Sequence, residues 1–341
     1  MASLVQPMLA DLAYWQETVL RGLVGLVAVL LPTGALVYLF LYKMMSFMQS
    51  RLGPMEAGPF GQLQLLADFG KFLQKEDIFP AKADRFVFGA APFVVLVSTF
   101  LLVLALPAGP DAHFIDVNTG IYYALAVSSI SVIGTLMAGW GSNSKYSLLG
   151  GLRAAAQLIA YELPLVLSVV GVVIMAGTLN MKGIVEAQNS FGVWFIVPQF
   201  VGFLIFLVSI QAELTQPPFD MPQAESELVT GYLTEYSGMR FLLFFIGEFA
   251  TAAVFSAIGA TLFLGGWAIP FVDPSAEFMN WIGPLVLAAK MVLIAFFIFW
   301  FRITYPRFRE DQLQKLAWKF LIPLALANIV VTASIKVAID L

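Results

Sequence analysis

In the stretch QAELTQPPFDMPQAESELVTGYLTEYSGMR, residues 211–240, five carboxylates (Glu213, Asp220, Glu225, Glu227 and Glu235) stand against one cation, Arg240. The chain around them is 60% hydrophobic and 12% charged, so the acid is locally concentrated. Carboxylates crowded in this way share protons and respond to any nearby change of charge. Three more ionisable groups, Glu162, Glu248 and Lys290, lie inside long apolar runs. An ionised side chain there costs at least about 2.5–3.5 kcal/mol unless it is paired, protonated or hydrated. A Glu248–Lys290 salt bridge is the plain structural alternative, but it leaves Glu162 unexplained. The chemistry that uses all of them is proton exchange along a hydrated path.

The elements that must hold these groups are membrane helices. A hydrocarbon layer about 30 Å thick needs roughly 20 apolar residues as a helix. That criterion gives eight spans: Val19–Leu41, Phe86–Leu106, Gly120–Trp140, Ala154–Ala176, Phe191–Ile210, Phe241–Leu264, Trp281–Phe301 and Phe320–Ile339. The expected fold is an all-α integral membrane protein, one polytopic domain over 1–341, with inner loops at 42–85 and 211–240. No basic stretch precedes the first apolar run, so no cleaved signal peptide is read.

Lysine and arginine counts orient the spans. The loops after spans 1, 3, 5 and 7 hold six, two, one and five such residues, whereas the other face has Arg21, Lys182 and Lys336. Fourteen against three places the long loops in the cytoplasm or matrix and the N-terminus outside, with short connections on the outer face. Counted inward at about 1.5 Å per residue, Glu162 and Glu248 lie roughly 10–12 Å deep and Lys290 roughly 16 Å. The first inner loop opens with two Gly-Pro pairs that forbid continuous helix. Beyond them Phe60, Leu63, Leu66, Phe69 and Leu73 recur at helical spacing opposite Gln64, Asp68, Lys71 and Lys75, the pattern of an amphipathic interfacial helix. The second inner loop, rich in prolines and aromatics, reads as a folded, partly buried funnel rather than a solvated coil.

Cysteine is absent and His113 is the single histidine, which excludes a protein-held iron–sulfur cluster, a bis-histidine haem and the usual zinc sites. GWGSNSKYSLLGG starts as Gly-x-Gly but follows a membrane span and lacks the third glycine and the strand of a dinucleotide site. Nothing points to nucleic acid.

Four stretches, GPFGQLQLLADFGKFLQKED, SKYSLLGGLRAAAQLIAYEL, PFDMPQAESELVTGYLTEYSGMRF and YPRFREDQLQKLAWKFLIP, occur in an order that resembles one family end to end. It is the membrane subunit of respiratory complex I that joins the hydrophilic arm to the pump modules, known as the H subunit in bacteria and as subunit 1 in mitochondria. The resemblance implies an eight-helix subunit of a proton-translocating NADH:quinone oxidoreductase that holds no cofactor. Its substrate is a lipid quinone, and FMN and iron–sulfur clusters are expected in partner subunits. The implied partners are hydrophilic-arm subunits, small membrane subunits and antiporter-like pump subunits, in the inner (plasma) membrane of a bacterium, with a mitochondrial or plastid membrane left open. By the same resemblance Arg51, Phe60, Asp68, Lys71, Phe219 and Asp220 would line or support the quinone chamber. Glu162, Glu213, Glu225, Glu227, Glu235 and Glu248 would form the acidic path, which the depth argument extends to Lys290. Lys145 and Arg153 would sit at its edge or at a subunit interface.

The sequence departs from the family pattern around that chamber. Leu41, Tyr42 and Lys43 replace Glu-Arg and a further basic residue, Met55 replaces Asn in Gly-Pro-Asn, Gln216 replaces an arginine, and Gln223 a glutamate. Two other readings fit the same architecture: the membrane subunit of a ferredoxin-linked hydrogenase or of a complex with another electron donor, and a stand-alone ion transporter. The second would be expected to show two related halves, and no such internal repeat is visible.

Overall fold

The computed structural model describes residues 30–270, 272 and 278–340, with Gln16, Leu23, Val24 and Val27 before them, and contains no strand among them. Its helices are α1 (Leu30–Met48), α2 (Gln64–Gln74), α3 (Arg85–Leu104), α4 (Gly120–Gly141), α5 (Lys145–Ala176), α6 (Met181–Phe191), α7 (Phe200–Glu213), α8 (Gly238–Phe263), α9 (Met279–Thr304) and α10 (Glu310–Ala338). Seven of them (α1, α3, α4, α5, α8, α9, α10) are long and apolar enough to cross a membrane, and α7 is a shorter apolar helix. The protein is an all-α integral membrane protein, and each expected span has its helix. Among the long helices α8 is the most buried and α10 the least, so α8 is the axis of the bundle and α10 lies at its edge.

Several boundaries differ from the sequence expectation, each for a local reason. Most of the first expected span before Leu30 lies outside the described residues. Its helix continues past Leu41 to Met48 through a π-helical stretch, Val37–Met44. The polar residues that suggested an end there are satisfied by the loop that follows. The Tyr42 hydroxyl donates to Asp68 at 2.5 Å and Lys43 Nζ to the Pro54 carbonyl at 2.7 Å. Likewise α5 begins at Lys145 rather than Ala154, and at 32 residues it spans about 48 Å, more than the hydrocarbon layer requires.

The fifth span shows the largest change. Expected over Phe191–Ile210, it is helical only from Phe200 to Glu213, and Phe191 ends a separate helix, α6, that hydropathy did not reveal. Gly192, at φ +71°, terminates α6. The non-helical stretch that follows has its backbone satisfied within the protein, as a layer without water demands. The Phe195 amide donates to Gln188 Oε1 at 3.1 Å and the Ile196 amide to the Phe263 carbonyl at 2.9 Å. Asp84 and Asn180 begin α3 and α6 by accepting from the first free amides of each.

Helix α2 carries the expected amphipathic pattern. Leu63, Leu66, Phe69 and Leu73 face outward, while Gln64 and Asp68 turn toward α1, where Asp68 meets Tyr42. Phe60 precedes the helix, in a turn at φ +54° with its ring exposed.

The C-terminal end of α4, the N-terminal part of α5 and the acidic loop meet through glycines. A Cβ on Gly150 would lie 2.5 Å from the Tyr232 amide nitrogen, and one on Gly231, at φ +58°, would lie 1.7 Å from the Pro222 carbonyl oxygen. Gly231→Ala therefore combines left-handed backbone strain of about 1–3 kcal/mol with a backbone collision. It is expected to lower the melting temperature of the assembled protein by several degrees; an unchanged melting curve would show that the loop is less tightly packed than this geometry requires.

Candidate functional site

The acidic loop is folded and mostly buried. Leu214, Phe219, Met221, Ala224, Leu228, Tyr232, Leu233 and Tyr236 are all in the core. Phe219 packs edge-on to Tyr161 with ring centroids 5.2 Å apart and also contacts Phe308, so its ring faces the core. The chain leaving α7 is closed into a turn by Gln211, which donates to the Pro217 carbonyl at 2.7 Å, and by the Phe219 amide, which donates to the Gln216 carbonyl at 2.8 Å. The Phe308 amide donates to the Pro218 carbonyl at 3.0 Å and docks the segment after α9 onto this turn.

These elements sort the carboxylates into two groups. In the inner group, Glu162 and Glu248 are held by neutral donors. Ser129 of α4 donates to Glu162. Gln216 donates to one oxygen of Glu248 and Gln223 to the other at 3.3 Å, and Arg302, in the last turn of α9, donates to the Gln216 side-chain oxygen. Gln223 also reaches the Tyr232 hydroxyl at 3.3 Å. Burial, with Glu248 nearby, pushes that hydroxyl above the ordinary tyrosine range, so it stays protonated. Glu213, at the end of α7, is buried within electrostatic reach of Glu162, and its Oε2 has no hydrogen-bond partner among the described residues.

In the outer group, Glu227 is held by cations. Glu227 lies between Arg153 at 2.5 Å and Arg307 at 2.9 Å, and the hydrogen bond from Arg153 holds its carboxyl below the usual range. Arg153 also approaches Glu310 at 3.8 Å. Glu225 is exposed and Glu235 half-buried. Asp220 stands between the two groups. Burial pushes its carboxyl up to about 6, with Arg307 and Arg302 opposing and Glu248 and Glu225 adding to the shift.

The remaining expected residues are more dispersed. Arg51 is exposed, its guanidinium donating to Gln49 at 2.8 Å, and Lys71 and Lys145 are exposed. No hydrogen bond or ion pair among the described residues joins Arg51, Phe60, Asp68 or Lys71 to the acids of 211–240. The far end of the first inner loop does reach that segment. Arg240 pairs with Asp77 at 2.8 Å and lies over the Phe79 ring at 3.7 Å, and Ser237 donates to the Glu76 carbonyl at 3.0 Å.

Lys290 joins neither group, and the Glu248–Lys290 bridge is absent among the described residues. Its ammonium donates to the carbonyls of Gly266 and Ala268 at 2.8 and 2.7 Å and lies 4.8 Å from the Trp194 ring. That loop begins beyond Phe263, about 22 Å of helix away from Glu248.

Sequence reasoning passed over Arg302, Arg307, Ser129 and Gln157 as site residues. The two arginines were visible as inner-face cations, but nothing in their spacing marked them as partners of the acids. The departures from the family pattern also acquire neighbours: Gln216 and Gln223 both touch Glu248, Tyr42 bonds Asp68, and Lys43 reaches Met55 Sδ at 3.4 Å.

Fold and site together define a multi-pass membrane protein with a folded, carboxylate-lined junction between its helices. The sequence pattern of the NADH dehydrogenase family matches residues 21–333, and the chain belongs to that family. It is 47% identical over 308 residues to the H subunit of the NADH-quinone oxidoreductase of Brevibacillus brevis, covering 90% of each chain. Over 337 residues it is 44% identical to the corresponding H subunit of Anoxybacillus flavithermus, covering 98% of this chain and 99% of the relative. Against that of Dehalococcoides mccartyi identity is 50% over 285 residues, 84% and 77% of the two chains. The resemblance carried by the four motifs is thus supported over nearly the whole chain.

Asp220 makes a pH prediction. Because burial raises its folded-state value above 3.8, the folded protein binds this proton more tightly than the unfolded chain. The stability it contributes is full below about pH 4 and is lost as pH rises through about 6. Asp220→Asn should flatten the fall in melting temperature across that window. Parallel curves for the two proteins would show that this carboxyl does not titrate there.

Proposed function

We propose that this chain is the membrane subunit of a proton-translocating NADH:quinone oxidoreductase, forming the membrane wall of the quinone chamber and the acidic path that couples quinone reduction to pumping. FMN and iron–sulfur clusters in hydrophilic-arm subunits docked on the inner face would deliver the electrons, and small membrane and antiporter-like subunits would receive the coupling signal. The complex would sit in a bacterial inner membrane, with the N-terminus of this chain outside.

The observation that carries the reading is the contact series Arg302, Gln216, Glu248, with Asp220 beside it. A quinone taking up two electrons also takes up two protons, so any acid at the mouth of the junction that donates one becomes negative until it is reprotonated. Asp220, with a carboxyl that burial pushes up to about 6, is suited to respond first. Glu213, buried, and Glu248 and Glu162, half-buried with neutral hydrogen-bond donors, are suited to pass the change inward. Glu225 and Glu235 mark the entrance. Glu227, held ionised between two arginines, serves as a clasp between α5, the loop and the segment before α10, with Arg153 as its anchor and Lys145 at the interface beside it.

Arg51, Phe60, Asp68 and Lys71 belong to the chamber side that the arm subunits complete, and Phe219 supports the wall from within. Lys290 is proposed as a staple for the loop after α8, outside the path.

Glu248→Gln in the intact complex, isolated by a tag on this chain, should reduce quinone reduction and pumping tenfold or more, by roughly the scale of a lost acid–base group, with assembly retained. Wild-type turnover and pumping in that variant would sink the reading. Lys290→Met should cost stability on the order of 1–3 kcal/mol while turnover per assembled complex stays unchanged; selective loss of pumping would instead return Lys290 to the path.

A further inference from the structure

Gln157 lies in α5, five residues before Glu162, and is 1% exposed. Its amide nitrogen donates one hydrogen to the Ala212 carbonyl at 2.7 Å and the other to the Phe219 carbonyl at 2.8 Å. Ala212 is the residue before Glu213, and Phe219 the residue before Asp220. One side chain thus ties together both ends of the segment that carries Glu213, Gln216 and Asp220, and fastens it to the helix that carries Glu162.

Chemistry favours an amide at this place. Two buried carbonyls need two N–H donors, and a primary amide supplies both without adding charge among the acids. The arrangement has a cost, because Gln157 Oε1 is itself buried without a hydrogen-bond partner among the described residues, as is Glu213 Oε2. An apolar side chain would avoid that cost but release the two carbonyls.

We infer that Gln157 is a positioning residue for coupling, setting the placement of Glu213 and Asp220 relative to each other and to Glu162. The inference rests on the quinone-coupling reading above.

Gln157→Met and Gln157→Glu in the intact complex test it. The methionine fills the volume and donates nothing. Quinone reduction is expected to fall roughly ten- to hundredfold in kcat, the scale of a misplaced reacting group, with KM little changed. The glutamate repels both carbonyls when ionised and can donate to one when protonated, so its activity relative to wild type should climb as pH is lowered from about 8 to about 5.5.

The ionisable groups on the elements around position 157 include Arg153, Tyr161 and Glu162 on α5, Glu213 on α7, Asp220 in the loop and Glu310 at the start of α10. All are common to the three proteins, so the ratio to wild type isolates this position. Amide hydrogen exchange across residues 213–220, which needs no turnover, should quicken in Gln157→Met.

Wild-type activity and pH profile in both variants would overturn the inference, as would unchanged exchange. Failure of both variants to assemble would also overturn it, by making Gln157 a folding residue. A wild-type complex that reduces no quinone would instead sink the proposed function, leaving the exchange result to judge the positioning.

Discussion

A layer without water imposes one condition on every part of this molecule: each polar group inside it must find its partner within the protein. The break before α7 illustrates the condition. The chain leaves helical geometry between Gly192 and Phe200, and Gln188 and the Phe263 carbonyl take up the backbone amides that a continuous helix would have satisfied. Lys290 obeys the same rule, with its ammonium turned onto two carbonyls and an indole ring. So does α10, the least buried of the long helices. Gln199 holds it to the bundle, donating to Thr332 Oγ1 at 2.7 Å and accepting from Asn328 at 2.8 Å. Hydrogen bonds of this kind between membrane helices contribute on the order of 0.6–2 kcal/mol each.

That condition also explains how the carboxylates are divided. Those paired directly with arginine, Glu227 above all, lie where water can still reach them. Those deeper in are met by hydroxyl and amide donors, and the nearest cation, Arg302, reaches Glu248 through Gln216. An ion pair is favourable only when its attraction offsets the loss of hydration of both partners. Neutral donors hold a carboxylate in place without locking its charge. Glu162 and Glu248 are held in that second way.

Much of the fold was legible in the sequence because apolar length is a direct record of membrane thickness. The eight spans, the amphipathic α2 and the folded character of the acidic loop all follow from hydropathy, spacing and proline content. Helix ends were less legible. Tyr42 and Lys43 look like a stop signal until Asp68 and the Pro54 carbonyl are known to await them, and Lys145 looks like loop until α5 is found to extend inward beyond the hydrocarbon layer. The amphipathic α6 was missed because its 11 residues include few apolar ones.

The sequence by itself determined the class of protein, the number of apolar helices and which carboxylates lie in or next to the membrane, since residue type and run length depend only on order along the chain. It also carried the family, through four motifs in fixed succession. Tertiary structure alone decided which acids meet which partners. Arg302 and Gln216 are 86 residues apart, Arg153 and Glu227 are 74, and Gln157 joins carbonyls 55 and 62 residues away. Lys290 and Glu248 look like neighbours when depth is counted along helices, yet the loop after α8 takes the lysine instead. Contacts between helices depend on how each is rotated and how far it is shifted along its axis. Those quantities are set by packing among all the helices at once, so no single stretch of sequence contains them.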